Sequence, residues 1–484
     1  MKPQQSEFTR RGFLSTAAAL PALGAQPPNT RGMNVLFILA DDLGWADLAC
    51  YGSSFHETPN LDAFARTAIQ FTNAYASAPV CSPTRAALLT GKSPARLGMT
   101  TWHEASMDPP LNRPMLPAKS DGNLPLSEIS LAKLYRQAGY RTAHVGKWHL
   151  GTAGYYPEAH GFDLNVGGTF WGAPQTFFYP FSGDQRYGGE FRYVPGLSGA
   201  KAGDYLPDLL AGAVLNELED HGGKPFFLNY WDHSVHTPIE APQDLVEKFQ
   251  RKLQPHRTHR NPAYAAMLAR YDYNVGRVLD HLRTSGLDRN TIVVFTSDNG
   301  GYTEKFDGVQ VTNNLPLRSG KGALYEGGLR VPLMIRVPGL TPAGATCDAP
   351  VISTDFYPTL QALSGLGVGT RTLDGVSIAD LLANPGGRPP ERDLCFHFPH
   401  YYPTTTPVSA IRAGSWKLLE YLDGGQVELY DLREDPGEIQ DVSTKLPDVV
   451  RTLRQRLAGW RNDVGARMPA VNPDFKSKIR ETKP

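Results

Sequence analysis

The stretch that decides the fold is MNVLFILADD, residues 33 to 42, an apolar run closed by Asp41 and Asp42. A strand exposed on one face alternates apolar and polar residues. This one does not, so it reads as a strand buried on both faces of a parallel sheet, with two acids at its carboxyl end. Ligands of open α/β sheets bind at that end.

The same grammar recurs outward from it. NLDAFARTAIQF (60–71) reads as a helix, and SPTRAALLTG (82–91) as another, with Pro83 in its first turn and Gly91 as its stop. SEISLAKLYRQAGY (127–140) is a third, stopped at Gly139, and YRTAHVGKWHL (140–150) follows as strand and loop. KPFFLNYWDHSVHTP (224–238) and NTIVVFTSDNG (290–300) again run from apolar strand into polar loop. Between them Leu268, Tyr271, Val275, Val278, Leu279 and Leu282 keep helical spacing up to Gly286. Alternating strands and helices predict an α/β fold, a large mixed, mainly parallel sheet sandwiched by helices.

Past about residue 375 the pattern changes. VSAIRAGSWKLLEYL (408–422) and QVELYDLREDPGE (426–438) read as short antiparallel strands, followed by a helix from about Pro447 to Trp460. The expected organisation is a catalytic domain over 33–375 and a small C-terminal subdomain and tail over 376–484, with an antiparallel sheet and a helix. The Gly- and Pro-rich segment from Gly151 to Lys201 reads as long loops, which in a compact domain are often functional.

The 484-residue chain carries 48 Lys and Arg against 48 Asp and Glu, so no net charge draws it to nucleic acid or an anionic membrane, and anion binding must be local. Four cysteines, Cys50, Cys81, Cys347 and Cys395, are too few for a disulfide scaffold. At the N-terminus, FTRRGFLSTAAALPALGAQPP sets Arg10 and Arg11 before an apolar stretch from Phe13 to Leu23 that ends in small residues at Ala25. Residues 1–25 resemble a bacterial twin-arginine export signal, implying the twin-arginine translocase as a partner and a periplasmic or secreted protein. The apolar run falls short of the roughly 20 residues a membrane span needs, so no stable anchor is expected.

The strand ends gather Asp41 and Asp42, Lys147 and His149, His233 and His236, and Asp298 and Asn299 on one sheet edge. Asp41, Asp42, Asp298 and Asn299 are oxygen donors, a set suited to a hard cation such as Ca²⁺ or Mg²⁺ rather than zinc. Arg85, Lys147 and Lys321, with His149 and His236, supply the positive groups that a phosphate or sulfate ester needs as charge builds on its oxygens. The helix beginning near Ser82 adds its N-terminal partial charge, about half a unit, beside Cys81. By itself that thiol is a nucleophile, a metal ligand or a small core residue.

CSPTR (81–85) fits Cys-x-Pro-x-Arg. With TGK (90–92), DDLGWADLACYGSSFHETPNLD (41–62), GKWHLG (146–151), HTP (236–238), TSDNG (296–300), GKGALYEGGLRVP (320–332) and YDLREDPGE (430–438), it resembles the type I sulfatase family of the alkaline phosphatase superfamily, over about residues 33 to 465. The resemblance implies a sulfuric ester hydrolase of arylsulfatase type, acting on a sulfated small molecule or carbohydrate. It implies that Cys81 is converted to formylglycine by the formylglycine-generating enzyme, which reads Pro83 and Arg85. The aldehyde hydrate has two hydroxyls, so that after one has taken the sulfate the other collapses and expels it. Asp41, Asp42, Asp298 and Asn299, with modified Cys81, would bind one Ca²⁺, and Asp298 would help deprotonate the attacking hydroxyl. Arg85 would hold the hydrate, Lys147 and Lys321 would grip sulfate, His149 would assist breakdown of the sulfated hydrate, and His236 would protonate the leaving alcohol.

Two departures are mild: Lys92 ends the motif where Arg is commoner, and Thr84 stands where Ser is frequent. His233 either touches substrate or braces its loop. Trp102, His103 and Glu104 read as substrate wall or as packing, and Arg318 and Asn314 as recognising a sugar hydroxyl or second anion, or as neither. Two other functions fit the same motifs: a phosphomonoester or phosphonate monoester hydrolase, and a sulfated-glycan binding protein left inactive because Cys81 is never converted.

Overall fold

In the computed structural model residues 30–182, 189–254, 258–367 and 371–475 are described, and residues 1–25, expected to be an export signal, lie outside them. The main sheet contains Asn34–Ala40 (β1), Ile69–Tyr75 (β2), Arg141–Gly146 (β3), Leu164–Val166 (β4), Phe226–Trp231 (β5), Thr291–Ser297 (β6), Arg330–Arg336 (β7), Thr346–Cys347 (β8) and Val351–Ile352 (β9). Its order is β8-β2-β7-β6-β1-β5-β3-β4, with β9 also on β2. Only β7 runs against the rest, antiparallel to both β6 and β2, so the sheet is mixed and mainly parallel.

The two-sided burial read from residues 33–42 is borne out: all of β1 is buried. Val35, Phe37 and Leu39 enter one apolar layer and Leu36, Ile38 and Ala40 the other. The first layer meets helices Cys81–Thr90 (α2) and Leu131–Gln137 (α4) through Ala86, Leu88, Leu131 and Tyr135. The second meets Leu206–Glu219 (α5) and Pro262–Thr284 (α6) through Leu206, Leu210, Tyr271 and Val275.

Two readings need correction. The helix expected over 60–71 stops early: Pro59–Ala65 (α1) is helical, and Ile69 already opens β2. Apolar residues at 61, 64, 65, 68 and 69 suit a helix face, but the tail of that run pairs with β7, as Ile69 with Ile335 and Phe71 with Leu333. The segment from Gly151 to Lys201 is mostly irregular where described but holds the edge strand β4 and short 3-10 turns at Ala153–Tyr155 and Pro157–His160.

The C-terminal sheet is a meander of Asp393–Phe398 (β10), Val408–Ala413 (β11), Trp416–Tyr421 (β12) and Val427–Asp431 (β13), each antiparallel to the next. One face takes Leu453 and Leu457 of the helix Pro447–Asp463 (α7). The other packs Phe396, Ala410 and Leu419 against Tyr75, Val80, Leu324 and Leu329 of the main unit. All four cysteines are free. Among the described residues no helix is long and apolar enough to cross a membrane.

Candidate active site

Register explains why the polar ends meet. Leu39 pairs with Trp231, Ala40 with Ser297, and Gly146 with Trp231, so Asp41, Lys147, Asp232 and Asp298 step off their strands at one level. Gly146 is required there: at φ +110°, an added Cβ would lie 2.0 Å from the Trp231 carbonyl oxygen. The reversed strand β7 starts at this same edge, which brings in Lys321 from the loop before it. Behind β2, the chain turns into α2, whose first residue is Cys81 and whose ten residues are all buried.

The structure brings Asp41, Asp42, Cys81, Arg85, Lys147, His149, His236, Asp298, Asn299 and Lys321 to this edge. Lys147 Nζ donates to Asp41 Oδ2 at 2.7 Å and Lys321 Nζ to Asp42 Oδ2 at 2.8 Å. Sγ of Cys81 lies 3.5 Å from Asp41 Oδ1 and 3.9 Å from Asp42 Oδ1. Arg85 donates through Nε to Asp298 Oδ2 at 2.9 Å, with Nη2 2.8 Å from the same oxygen and Nη1 on the Lys147 carbonyl at 2.8 Å. Asp298 Oδ1 accepts from the Asp42 amide at 3.1 Å, and Asn299 Nδ2 donates to Asp42 Oδ1 at 2.8 Å. Asp42 and His149 both hold φ near +60°, a conformation non-glycine residues adopt at a cost.

The charges are not balanced by position. Burial, with Asp298 and Asp42 repelling, pushes Asp41 up to about 8 despite Lys147 and Arg85. Burial would raise Asp42 too, but Lys321 and His236 outweigh it and hold its carboxyl well below the usual range. Burial pushes the Cys81 thiol up, so as a thiol it is protonated and a poor nucleophile. For Lys321 the burial cost is overcome by Asp42, and its ammonium is held charged well above its ordinary range. His236 is driven well below its ordinary value by burial and by Lys321; its Nδ1 donates to the Thr237 carbonyl at 2.7 Å and its Nε2 accepts from Lys321 Nζ at 3.1 Å. Burial lowers His149 to about 4 against the pull of Glu104.

A metal fits this donor set. Asp41, Asp42, Cys81 and His236 offer ligand atoms within 4.8 Å of one another. Oδ1 of Asn299 is buried beside them with no hydrogen-bond partner. A cation there would satisfy that oxygen and restore Asp41 to its charged form, as a hard ion among oxygen donors does.

A cavity of about 300 Å³ opens onto this cluster, lined by Asp42, Cys81, Trp102, Glu104, His149, Tyr302, Lys321 and Tyr402, with Gly172, Ala173, Glu190 and Arg192 at its loop side. Other sequence candidates fall elsewhere. His233 is buried with both ring nitrogens unpartnered and does not line the cavity. His103 packs on Phe170 at 5.7 Å, its Nδ1 3.3 Å from the Gly122 carbonyl. Arg318 stacks on Tyr325 at 3.9 Å and donates to the Tyr430 hydroxyl and the Glu438 carbonyl, both at 2.9 Å, so it ties the C-terminal sheet down. Asn314 braces its loop through Gly301 and Ser319.

Sequence reasoning missed Tyr302, Tyr402 and Arg192, which come from loops without spacing, and a buried cluster of Asp47, His56 and His259. In that cluster the donors are used on one another. Tyr264 and Thr312 each donate to Asp47 at 2.6 Å, Gly44 N does so at 2.8 Å, and the rings face the carbonyls of Asp47 (2.8 Å) and Asn313 (3.1 Å). It fixes the loop that follows Asp41 and Asp42.

The Sulfatase family model matches residues 33–366, and the model described as N-sulphoglucosamine sulphohydrolase, C-terminal, matches residues 320–463. Arylsulfatase A of Homo sapiens is 31% identical, over 92% of this chain and 89% of its own length. A sulfatase of Formosa agariphila is also 31% identical, over 88% of each chain. The crystal structure of Ps i-CgsB superposes with a TM-score of 0.75 at 28% identity, over 92% of this chain and 95% of that one; that protein has also been solved in complex with k-i-k-neocarrahexaose. Sheet order, the buried acid and cation cluster and these matches agree: the chain belongs to the sulfatase family, sulfuric ester hydrolases on the alkaline phosphatase superfamily fold.

Proposed function

We propose that this enzyme cleaves a sulfate monoester on a sulfated carbohydrate, with formylglycine made from Cys81 and a bound Ca²⁺. The observation that carries the reading is the position of Cys81, at the N-terminus of α2, between the two Oδ1 atoms of Asp41 and Asp42 and in a cavity walled by Lys321 and His149. Its raised pKa as a thiol favours a different nucleophile at that position. The hydrated aldehyde would supply a hydroxyl nucleophile, and Asp41, Asp42, Asp298 and Asn299 would hold a Ca²⁺ that would supply positive charge for the sulfate oxygens.

The chain's own residues do the rest. Lys147 and Lys321 present ammonium groups held charged by Asp41 and Asp42. Arg85, locked on Asp298, fixes that carboxylate beside position 81. His236 Nε2 accepts from the Lys321 ammonium at 3.1 Å, so it would relay that ammonium's proton to the leaving oxygen rather than give one of its own. The aromatic walls Trp102, Tyr302 and Tyr402 suit the apolar face of a sugar ring, and the Ps i-CgsB complex with an oligosaccharide supports that substrate class. Arg10 and Arg11 support export by the twin-arginine translocase to the periplasm or beyond.

The test is the mass of the peptide ending at Arg85, from cells that carry the formylglycine-generating enzyme, together with turnover of nitrophenyl sulfate and nitrophenyl phosphate. The expected result is an aldehyde at Cys81, sulfate preferred over phosphate, and no turnover by Cys81→Ala. A thiol retained while control sulfatases are converted sinks the reading, and preferred phosphate turnover moves it to phosphoester hydrolysis.

A further inference from the structure

The roles above leave two cavity carboxylates unused; Glu190 is paired with Arg192 at 2.7 Å, and Glu104 faces a histidine. Glu104 lies in the short helix His103–Met107 (α3), outside every motif quoted above. Its Oε2 is 3.0 Å from Nε2 of His149, and its Oε1 accepts from the Gly172 amide at 3.3 Å. Gly172 closes on the ring from the side: an added Cβ would sit 2.5 Å from His149 Cε1. The Ser82 hydroxyl, next to Cys81, donates to the His149 carbonyl at 2.6 Å. Ring and backbone of His149 are therefore both fixed, and the remaining ring nitrogen, Nδ1, is buried with no hydrogen-bond partner.

We infer that Glu104 is a positioning residue for His149, holding the proton on Nε2 so that Nδ1 presents its lone pair as the base at position 81. An isolated neutral imidazole exchanges between two tautomers, and only one of them leaves Nδ1 able to accept. A carboxylate on Nε2–H selects that tautomer and stabilises the positive charge the ring acquires when it takes a proton, as the third member of a Ser-His-Asp triad does. The step assigned to His149 balances: the O–H bond of the hydroxyl left at position 81 breaks, its proton goes to Nδ1, its electron pair forms the C=O bond, and the C–O bond to sulfate breaks with its pair leaving as sulfate. Glu104 touches none of the reacting atoms.

The kinetic part rests on the proposed formylglycine reaction, so the experiment has two arms. In the first, ¹⁵N-histidine spectra are recorded on the Cys81→Ala protein, where no aldehyde or turnover is involved, with the His149 signals identified by His149→Gln. One Nε2–H tautomer is expected with Glu104 present, and a mixture or the Nδ1–H form with Glu104→Leu. In the second, converted enzyme carrying Glu104→Leu is expected to lose about 10²-fold in kcat with KM changed by less than about threefold, and Glu104→Gln, which keeps an acceptor without charge, about tenfold.

An unchanged tautomer in Glu104→Leu overturns the inference, as does kcat within about threefold of wild type. A purely structural role would lower the folded fraction and melting temperature without moving the tautomer, and that result also counts against it. If the unsubstituted, converted enzyme releases no sulfate, the proposed reaction fails, while the ¹⁵N comparison still decides the role of Glu104.

Discussion

Lys321 reaches two partners at once, Asp42 Oδ2 at 2.8 Å and His236 Nε2 at 3.1 Å, from a side chain that is 7% exposed as a residue. Replacing it with alanine removes a cation from the cavity and leaves Asp42 to face burial with less compensation. Lys321→Ala is expected to lower kcat/KM for nitrophenyl sulfate by at least about 10²-fold, the scale of losing one preorganised charge; steady-state kinetics checks it, and a loss below about tenfold would exclude Lys321 from the chemistry. Single residues were legible to the extent that they carried spacing. Asp41, Asp298 and Lys147 end apolar strands and could be placed from the chain alone, whereas Glu104 could be read only as part of a wall. Its partner is 45 positions away, and no local pattern reports a bond across that distance.

At the scale of elements, the C-terminal sheet is joined to the main unit by more than its apolar face. Lys417 on β12, fully buried, sits 2.9 Å from Glu326 Oε1 and 2.9 Å from Glu438 Oε1, and the Glu326 amide donates to Glu438 at 2.6 Å. Burial and Glu326 push Glu438 up to about 7, with Lys417 pulling the other way. Removing the lysine leaves Glu438 buried without its cation, while Glu326 keeps the Tyr75 hydroxyl and Arg330, a change that costs about 3 kcal/mol. Lys417→Ala is therefore expected to lower the melting temperature by several degrees in scanning calorimetry, and an unchanged transition would show that the sheet is held by packing alone. The strands of this sheet were readable because they alternate or turn at glycines such as Gly414 (φ +61°). The boundary between α1 and β2 was not, because Ala65 to Ile69 satisfies helical spacing and only the pairing with β7 decides it.

Over the whole molecule, acid should act mainly through neutral buried histidines. Burial holds His144 and His400 down to about 3 and His160 and His397 to about 4, from an ordinary value of 6.5. A histidine whose folded pKa lies below its unfolded value contributes stability that is present above pH 6.5 and is lost as pH falls toward 4. Asp232 and Asp272, which burial raises to about 6, act in the opposite sense: their contribution is present below 3.8 and is lost as pH rises through 6. With His56, His149, His233 and His236 lowered in the same sense, eight histidines stand against four raised carboxylates, Asp41, Asp232, Asp272 and Glu438, which predicts a melting temperature that falls between about pH 6.5 and pH 4. His397→Gln should flatten that slope, and a stability maximum near pH 4 would contradict the assignment.

The complete burial of α2 also orders events in time. Once the ten residues from Cys81 to Thr90 have docked, Cys81 is 3% exposed as a residue and shares its cavity with residues as far along the chain as Lys321 and Tyr402. If the proposed modification of Cys81 takes place, a second enzyme's cleft would have to admit the chain around it, which buried, docked α2 does not allow, so it would act before that helix docks. On the conversion proposed for Cys81, folding and modification would then compete for the same interval after synthesis, and a molecule that folds first would keep its thiol at the floor of the cavity.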